Sequence, residues 1–277
     1  MKKMLSLALV LVLMMSLAAC GAKTEAPAAT TAPAAAAETT AAATEVEATV
    51  AEVSTIEAGK LIMSTNASFP PYEMIADDGS FEGIDVEVAG AIAKKLGLEL
   101  EVDDMDFDAA LLAVQQNKSD IVMAGVTVTD DRKLVMNFTD SYATGVQVVI
   151  VKEGSDVTLD NLGEKMIGTQ RGTTGYIFTS DDYGDDHVTA YDNGASAVQA
   201  LMNGQVDCVV IDAAPAEAYV EANPGLTILD TEYVVENYAI GVNKDNTALL
   251  DAINGALAEL TADGTIDTII GKYITAE

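Results

Sequence analysis

Residues 107–133 read FDAALLAVQQNKSDIVMAGVTVTDDRK, and the pattern changes twice along them. Apolar residues recur at helical spacing through FDAALLAVQQNK, residues 107–118. DIVMAGV, residues 120–126, is a short apolar run of strand length, and a helix start follows with Thr129 or Asp130 placed to cap it. A helix feeding a strand that feeds a helix is the repeating unit of an α/β sheet. Arg132 is left unexplained by this scheme. One turn into a helix, a guanidinium meets the positive end of the helix dipole, a mildly unfavourable place unless an anion comes to it. Taken alone, the more ordinary reading is a surface ion pair with Asp130 or Asp131.

The same alternation extends outward on both sides. Upstream, KLIMSTNA (60–67) reads as a strand, GIDVEVAGAIAKKLG (83–97) as an amphipathic helix stopped by glycine, and LELEVDDM (98–105) as a strand. Downstream of GVQVVIVK (145–152) come the strand KMIGTQ, the helix TTGYIFTSD, the strand HVTAYD, the helix GASAVQALMNGQ, the strand DCVVIDA and the helix APAEAYVEAN. A last strand, YAIGVNK (238–244), leads into helices across 247–274, broken near Gly264. The segments AALLAVQQNKSDIVMAG (109–125) and SAVQALMNGQVDCVVID (196–212) also echo one another as helix, turn, Asp and strand. That echo places Gly125 and Asp212 at equivalent carboxyl ends of sheet strands, where α/β folds hold ligands.

The chain has 277 residues, 49% of them hydrophobic, which is enough for real cores. Its net charge of -30, from 44 acids against 14 Lys and Arg, repels phosphate backbones and argues against nucleic-acid binding. Only Cys20 and Cys208 are present, so no disulfide framework is available; Cys208, inside DCVVID, reads as a small buried hydrophobe. The single histidine, His187, has no partners for a zinc site, and no cofactor is expected. Residues 1–20, MKKMLSLALVLVLMMSLAAC, are a secretory leader by pattern: two lysines, an apolar run and small residues. Residues 21–58 are mostly Ala, Thr, Pro and Glu and read as a disordered tether.

Polar groups collect at the expected strand ends. Thr127 and Arg132 follow one strand, Gln170, Thr173 and Thr174 follow a second, and Asp212 ends a third. The planar fork of Arg132 suits a carboxylate, with help from backbone N–H groups at the helix start near 173, and Asp212 suits an ammonium. Together they fit the two ends of a zwitterion. Phe69 and Tyr72, on a proline-stiffened loop, and Phe107 read as a pocket wall, with core packing as the alternative. Asp212 as a plain helix cap is the corresponding alternative for that residue.

TNASFPPYE, GIDVEVAGAIAKKLG, MDFDAALLAVQQNKSDIVMAGVTVTDDRK, GTQRGTTG and VVIDAAP together resemble the polar amino-acid-binding solute receptors of bacterial ABC importers, extracellular solute-binding protein family 3. The resemblance implies an α/β, two-lobed type II periplasmic-binding-protein fold, each lobe a mixed sheet flanked by helices. Lobe 1 would be 59–146 with a return over 234–277, lobe 2 would be 147–233, and the hinge crossovers would lie near 142–146 and 234–238. It implies that Arg132, assisted by Thr127 and Thr173, takes an α-carboxylate, that Gly125 and Asp212 take the α-ammonium, and that Phe69 and Phe107 enclose the side chain. Leu17-Ala18-Ala19-Cys20 resembles a lipoprotein processing site, which implies a lipid anchor on Cys20, a monomeric extracytoplasmic receptor and an ABC permease as partner. Asn66 stands where several relatives that bind cationic or amide side chains have aspartate, and Gln170 falls where side-chain contacts vary. Glu73 then decides: facing inward it favours an arginine-like ligand, facing solvent a glutamine-like one. Two other classes compete. One is a dehydratase of this fold acting on a cyclic carboxylic acid, with Glu73 or Asp212 as acid or base; it is disfavoured because an Asp aimed at an ammonium should stay ionised. The other is a sensing module, expected to continue into a membrane helix and signalling domain.

Overall fold

The computed structural model describes residues 53–230 and 232–274; the leader, Cys20 and the tether up to residue 52 lie outside the described residues. β1 (Lys60–Thr65) is buried along five of its six residues. A small antiparallel sheet follows, β2 (Ser68–Phe69), β3 (Glu73–Ile75) and β4 (Phe81–Glu82), which the sequence pattern does not announce. α1 (Ile84–Leu96) turns Ile84, Val88, Ala89 and Ile92 inward and ends at Gly97, whose φ of 71° is the left-handed cap expected of a glycine stop. β5 (Glu99–Asp104) and α2 (Phe107–Gln115) match their expected segments. β6 is only Ile121–Val122, shorter than the strand expected over 120–126. The reason is local: Gly125 adopts φ 56°, and its N–H leaves the ladder for Asp85 Oδ2 at 2.9 Å.

α3 (Asp130–Val135) is capped by Thr129, whose Oγ1 accepts from the Arg132 N–H at 3.2 Å. β7 (Met136–Lys152) runs for 17 residues, well beyond the segment expected from GVQVVIVK. β8 (Ile167–Gln170), α4 (Thr174–Tyr183), β9 (Val188–Tyr191), α5 (Gly194–Met202), β10 (Cys208–Asp212) and α6 (Ala213–Ala222) then alternate as the periodicity predicts. β11 (Leu226–Ile228) and β12 (Val234–Asn243) precede α7 (Thr247–Ala262) and α8 (Thr265–Tyr273), which part at Gly264.

The main sheet has the order β5-β1-β6-β12-β7-β10-β8-β9, with β11 also on β7. β1 is parallel to β5 and β6, and β8 is parallel to β9 and β10, so each end of the sheet is a parallel unit covered by helices. The two ends are joined by β7 and β12, which pair antiparallel from Val234 opposite Gln147 to Asn243 opposite Met136, with register shifts around Ala239. Gly145 lies in this pairing because a Cβ there would overlap the Tyr238 hydroxyl. The largest core packs α1 and α7 against β1 through Leu61, Met63, Ile92, Leu249 and Ile253. A second core gathers Phe107, Ala110, Val122 and Met136, and a third gathers Val149, Leu162, Ile167 and Val210 around Cys208, which is buried as expected.

Candidate functional site

Asn66, Phe69, Glu73, Phe107, Gly125, Thr127, Arg132, Gln170, Thr173, Thr174 and Asp212 line one cleft, joined by Ala124, whose space between atoms, open solvent included, is about 310 Å³. Tyr72 is the exception. It is buried behind the wall, its ring 5.9 Å from Phe69 and 5.2 Å edge-on to Tyr238, because the Pro70-Pro71 turn directs it into the core.

Arg132 is buried, and its charge is met by dipoles and a ring. Nη1 donates to the Thr127 carbonyl at 2.8 Å, Nη2 to the Gly172 carbonyl at 3.1 Å, and the guanidinium carbon sits 5.4 Å from the Phe107 ring centre. Among the described residues no carboxylate forms an ion pair with it. The surface pairing with Asp130 does not form; Lys133 takes that carboxylate at 3.2 Å. Burial pulls the Arg132 pKa down to about 10, the cost of a desolvated cation that lacks a counter-ion.

Two buried acids, Asp212 and Glu73, also line the cleft. Asp212 accepts from Gln147 Nε2 at 2.8 Å and from the Tyr238 hydroxyl, and makes no side-chain cap to α6. Burial first, then the charge of Glu236, raise its pKa to about 7. A carboxyl held up in this way takes a proton more readily than a free one, and a ligand ammonium beside it would favour the ionised form. Glu73 is fully buried, and neither of its carboxyl oxygens has a hydrogen-bond partner. Burial, then Asp85, push its pKa well above the usual carboxylate range.

Asn66 is tied up on both sides. Its Nδ2 donates to the Met105 carbonyl at 2.8 Å, while Oδ1 accepts from Ser68 Oγ and Gln170 Nε2, each at 2.9 Å. Gln170 Oε1 stays buried without a partner. Thr173 caps α4, accepting from the Tyr176 N–H at 3.3 Å, so the free donors of that helix start lie at the cleft. Thr127 Oγ1 donates its single proton to Glu236 Oε2 at 3.0 Å and lies 3.4 Å from Thr174 Oγ1. With that proton engaged, the hydroxyl has acceptor lone pairs left for the cleft.

Asp85, Tyr142, Gln147, Glu236 and Tyr238 support the site and were not singled out from the sequence. Asp85 is fully buried, holds Gly125 by its N–H and accepts from the Tyr142 hydroxyl at 2.6 Å. It shares a helical stripe with Val88, Ala89 and Ile92, so periodicity had already placed an acid in the core. Glu236 falls on the same alternating face as Tyr238 in VVENYAIGV.

Comparison with known proteins follows the same lines. The sequence profile of the bacterial extracellular solute-binding proteins, family 3, matches residues 61–276. A probable histidine-binding protein of Neisseria gonorrhoeae is 34% identical over 222 residues, spanning 78% of this chain and 83% of its own. The ABC transporter arginine-binding protein 1 of Escherichia coli strain K12 is 31% identical over 221 residues, 78% of this chain and 91% of its own. An ancestral arginine-binding protein solved with arginine matches at 41% identity and TM-score 0.74 over 78% of this chain and 98% of its own, and an ancestral arginine-binding protein solved with glutamine at 40% and 0.75 over 79% and 99%.

Proposed function

Because this chain belongs to the bacterial extracellular solute-binding proteins, family 3, we propose that it captures one free polar or basic L-amino acid, arginine ahead of glutamine, and delivers it to the permease of an ABC importer. Arg132, with the donors at the start of α4, takes the α-carboxylate. Asp212, Gly125 and Thr127 take the α-ammonium, Phe69 and Phe107 flank the side chain, and Glu73 meets its far end. One observation carries the preference for arginine: Glu73 is a buried carboxyl in the cleft wall with neither oxygen partnered. A guanidinium would pair with its ionised form, whereas a neutral amide leaves it protonated and without that charge-assisted bond.

Residues 59–146 with 234–277 form one lobe and 147–233 the other, hinged where β7 and β12 pair. The hydrogen bonds from Gln170 to Asn66, Arg132 to Gly172 and Tyr219 to the Ser68 carbonyl then run between lobes, as they would in a closed receptor. The relatives are binding proteins, and none of those named is a dehydratase.

Calorimetric titration with L-arginine at several pH values tests this. Deprotonating the raised carboxyls of Asp212 and Glu73 releases protons, so affinity is expected to climb as pH rises through about 7, with a binding heat that changes with the ionisation enthalpy of the buffer. Glutamine, which does not discharge Glu73, releases fewer. No heat with either ligand would refute the assignment.

The anchor is a separate part of the proposal. A lipidated Cys20 would hold the receptor at the membrane, each buried methylene adding about 0.8 kcal/mol and more than one acyl chain being required. Cys20→Ala is expected to move the protein from the membrane fraction to the soluble one. Wild type that is already soluble, with an unmodified cysteine, would end this part of the reading.

A further inference from the structure

Glu236 stands outside the cleft lining yet is buried beside it, on β12 at the crossover, and it contacts Thr127 and Gln147. Its Oε2 accepts from Thr127 Oγ1 and from Gln147 Nε2, each at 3.0 Å, and Gln147 Nε2 also donates to Asp212 Oδ2 at 2.8 Å. Its Oε1 is buried without a partner.

Hydrogen counting gives this arrangement a direction. A threonine hydroxyl has one proton and a carboxylate has none, so the Thr127 proton points away from the cleft and its lone pairs point in. The two protons of the Gln147 amide are divided between Asp212 and Glu236, which fixes the amide orientation and turns the Asp212 carboxylate toward the ligand. We propose that Glu236 is a positioning residue that makes this end of the cleft present acceptors only, so that it reads a protonated α-amine. The inference rests on the amino-acid reading of the site and adds to it a residue that never touches the ligand.

Polarity and charge make different predictions here. In Glu236→Gln the new side chain has to offer its carbonyl oxygen to Gln147 Nε2, because Asp212 pins that amide, and the same oxygen still accepts from Thr127. Glu236→Leu offers nothing, so the Thr127 hydroxyl is free to turn its proton into the cleft against the ammonium.

The test measures affinity for L-arginine against its des-amino analogue, 5-guanidinopentanoic acid, in wild type, Glu236→Gln, Glu236→Leu and Thr127→Val. Wild type is expected to prefer arginine, and the Gln variant to keep that preference within about threefold. The Leu and Val variants are expected to lose roughly tenfold to a hundredfold of it, the worth of a hydrogen bond to a charged group. If the Leu variant does not fold, the Gln variant decides: a tenfold loss of preference there would assign Glu236 a direct charge effect and overturn the positioning role. An unchanged preference in Leu would overturn it equally. Wild type that binds neither compound would bring down the amino-acid reading itself, a failure distinct from the other two.

Discussion

Arg132→Ala and Asp212→Ala are each expected to weaken arginine binding by about 3–5 kcal/mol, roughly a hundredfold to several thousandfold, the usual cost of stranding one buried charge of a pair. Arg132 is met by two carbonyls and the Phe107 ring, with the charges of Glu236 and Asp212 acting on it from beyond pairing distance. A carboxylate arriving there gains a bidentate partner whose desolvation the folded protein has already borne. Removing the guanidinium leaves that carboxylate buried among dipoles and also breaks the Gly172 contact. Asp212→Ala leaves the Tyr238 hydroxyl and the Gln147 amide without their acceptor as well as the ligand ammonium without its counter-ion. Calorimetry on both variants checks this. Affinities near wild type in both would mean that the ligand does not lie between them.

Glu73→Gln is expected to separate the two candidate ligands. Arginine should bind roughly tenfold to a hundredfold more weakly, because a charge-assisted bond to a guanidinium is worth about 1.5–3 kcal/mol. Glutamine should change by less than about threefold. The substitution is close to isosteric and removes a buried, unpartnered acid, so the free protein should hold its melting temperature or gain a little. Competition binding with both amino acids gives the answer. Equal losses, or no loss for either, would take Glu73 out of the selectivity.

The α/β alternation was legible because it is local. Glycine stops at Gly97 and Gly264, the Thr129 cap and the apolar stripes of α1, α2 and α5 each depend on a few neighbouring residues. The full length of β7 was not, since its first part is fixed by pairing with β12 about ninety residues later. The cleft-lining groups could be read because polar residues after apolar strands have few other places to go; the echo between 109–125 and 196–212 pointed to Gly125 and Asp212, which line the same cleft. The layer behind them was harder. Asp85 and Glu236 follow the period of the apolar faces they occupy, and a periodicity argument treats an acid in such a stripe as an interruption until its partners are known. Tyr72 failed for the opposite reason: adjacency to Phe69 and Glu73 suggested a shared direction, and the turn between them removed it.

The most direct test is to unfold the purified protein and identify by mass spectrometry whatever small molecule it releases. A cleft that buries a cation, the hydrogen-bonded carboxyl of Asp212 and the unpartnered carboxyl of Glu73 should retain its ligand through purification. The expected result is near-stoichiometric L-arginine, or after extensive dialysis an empty protein that takes up arginine again. A released molecule that is not an amino acid, or an empty protein that takes up none of the natural amino acids, would contradict the account.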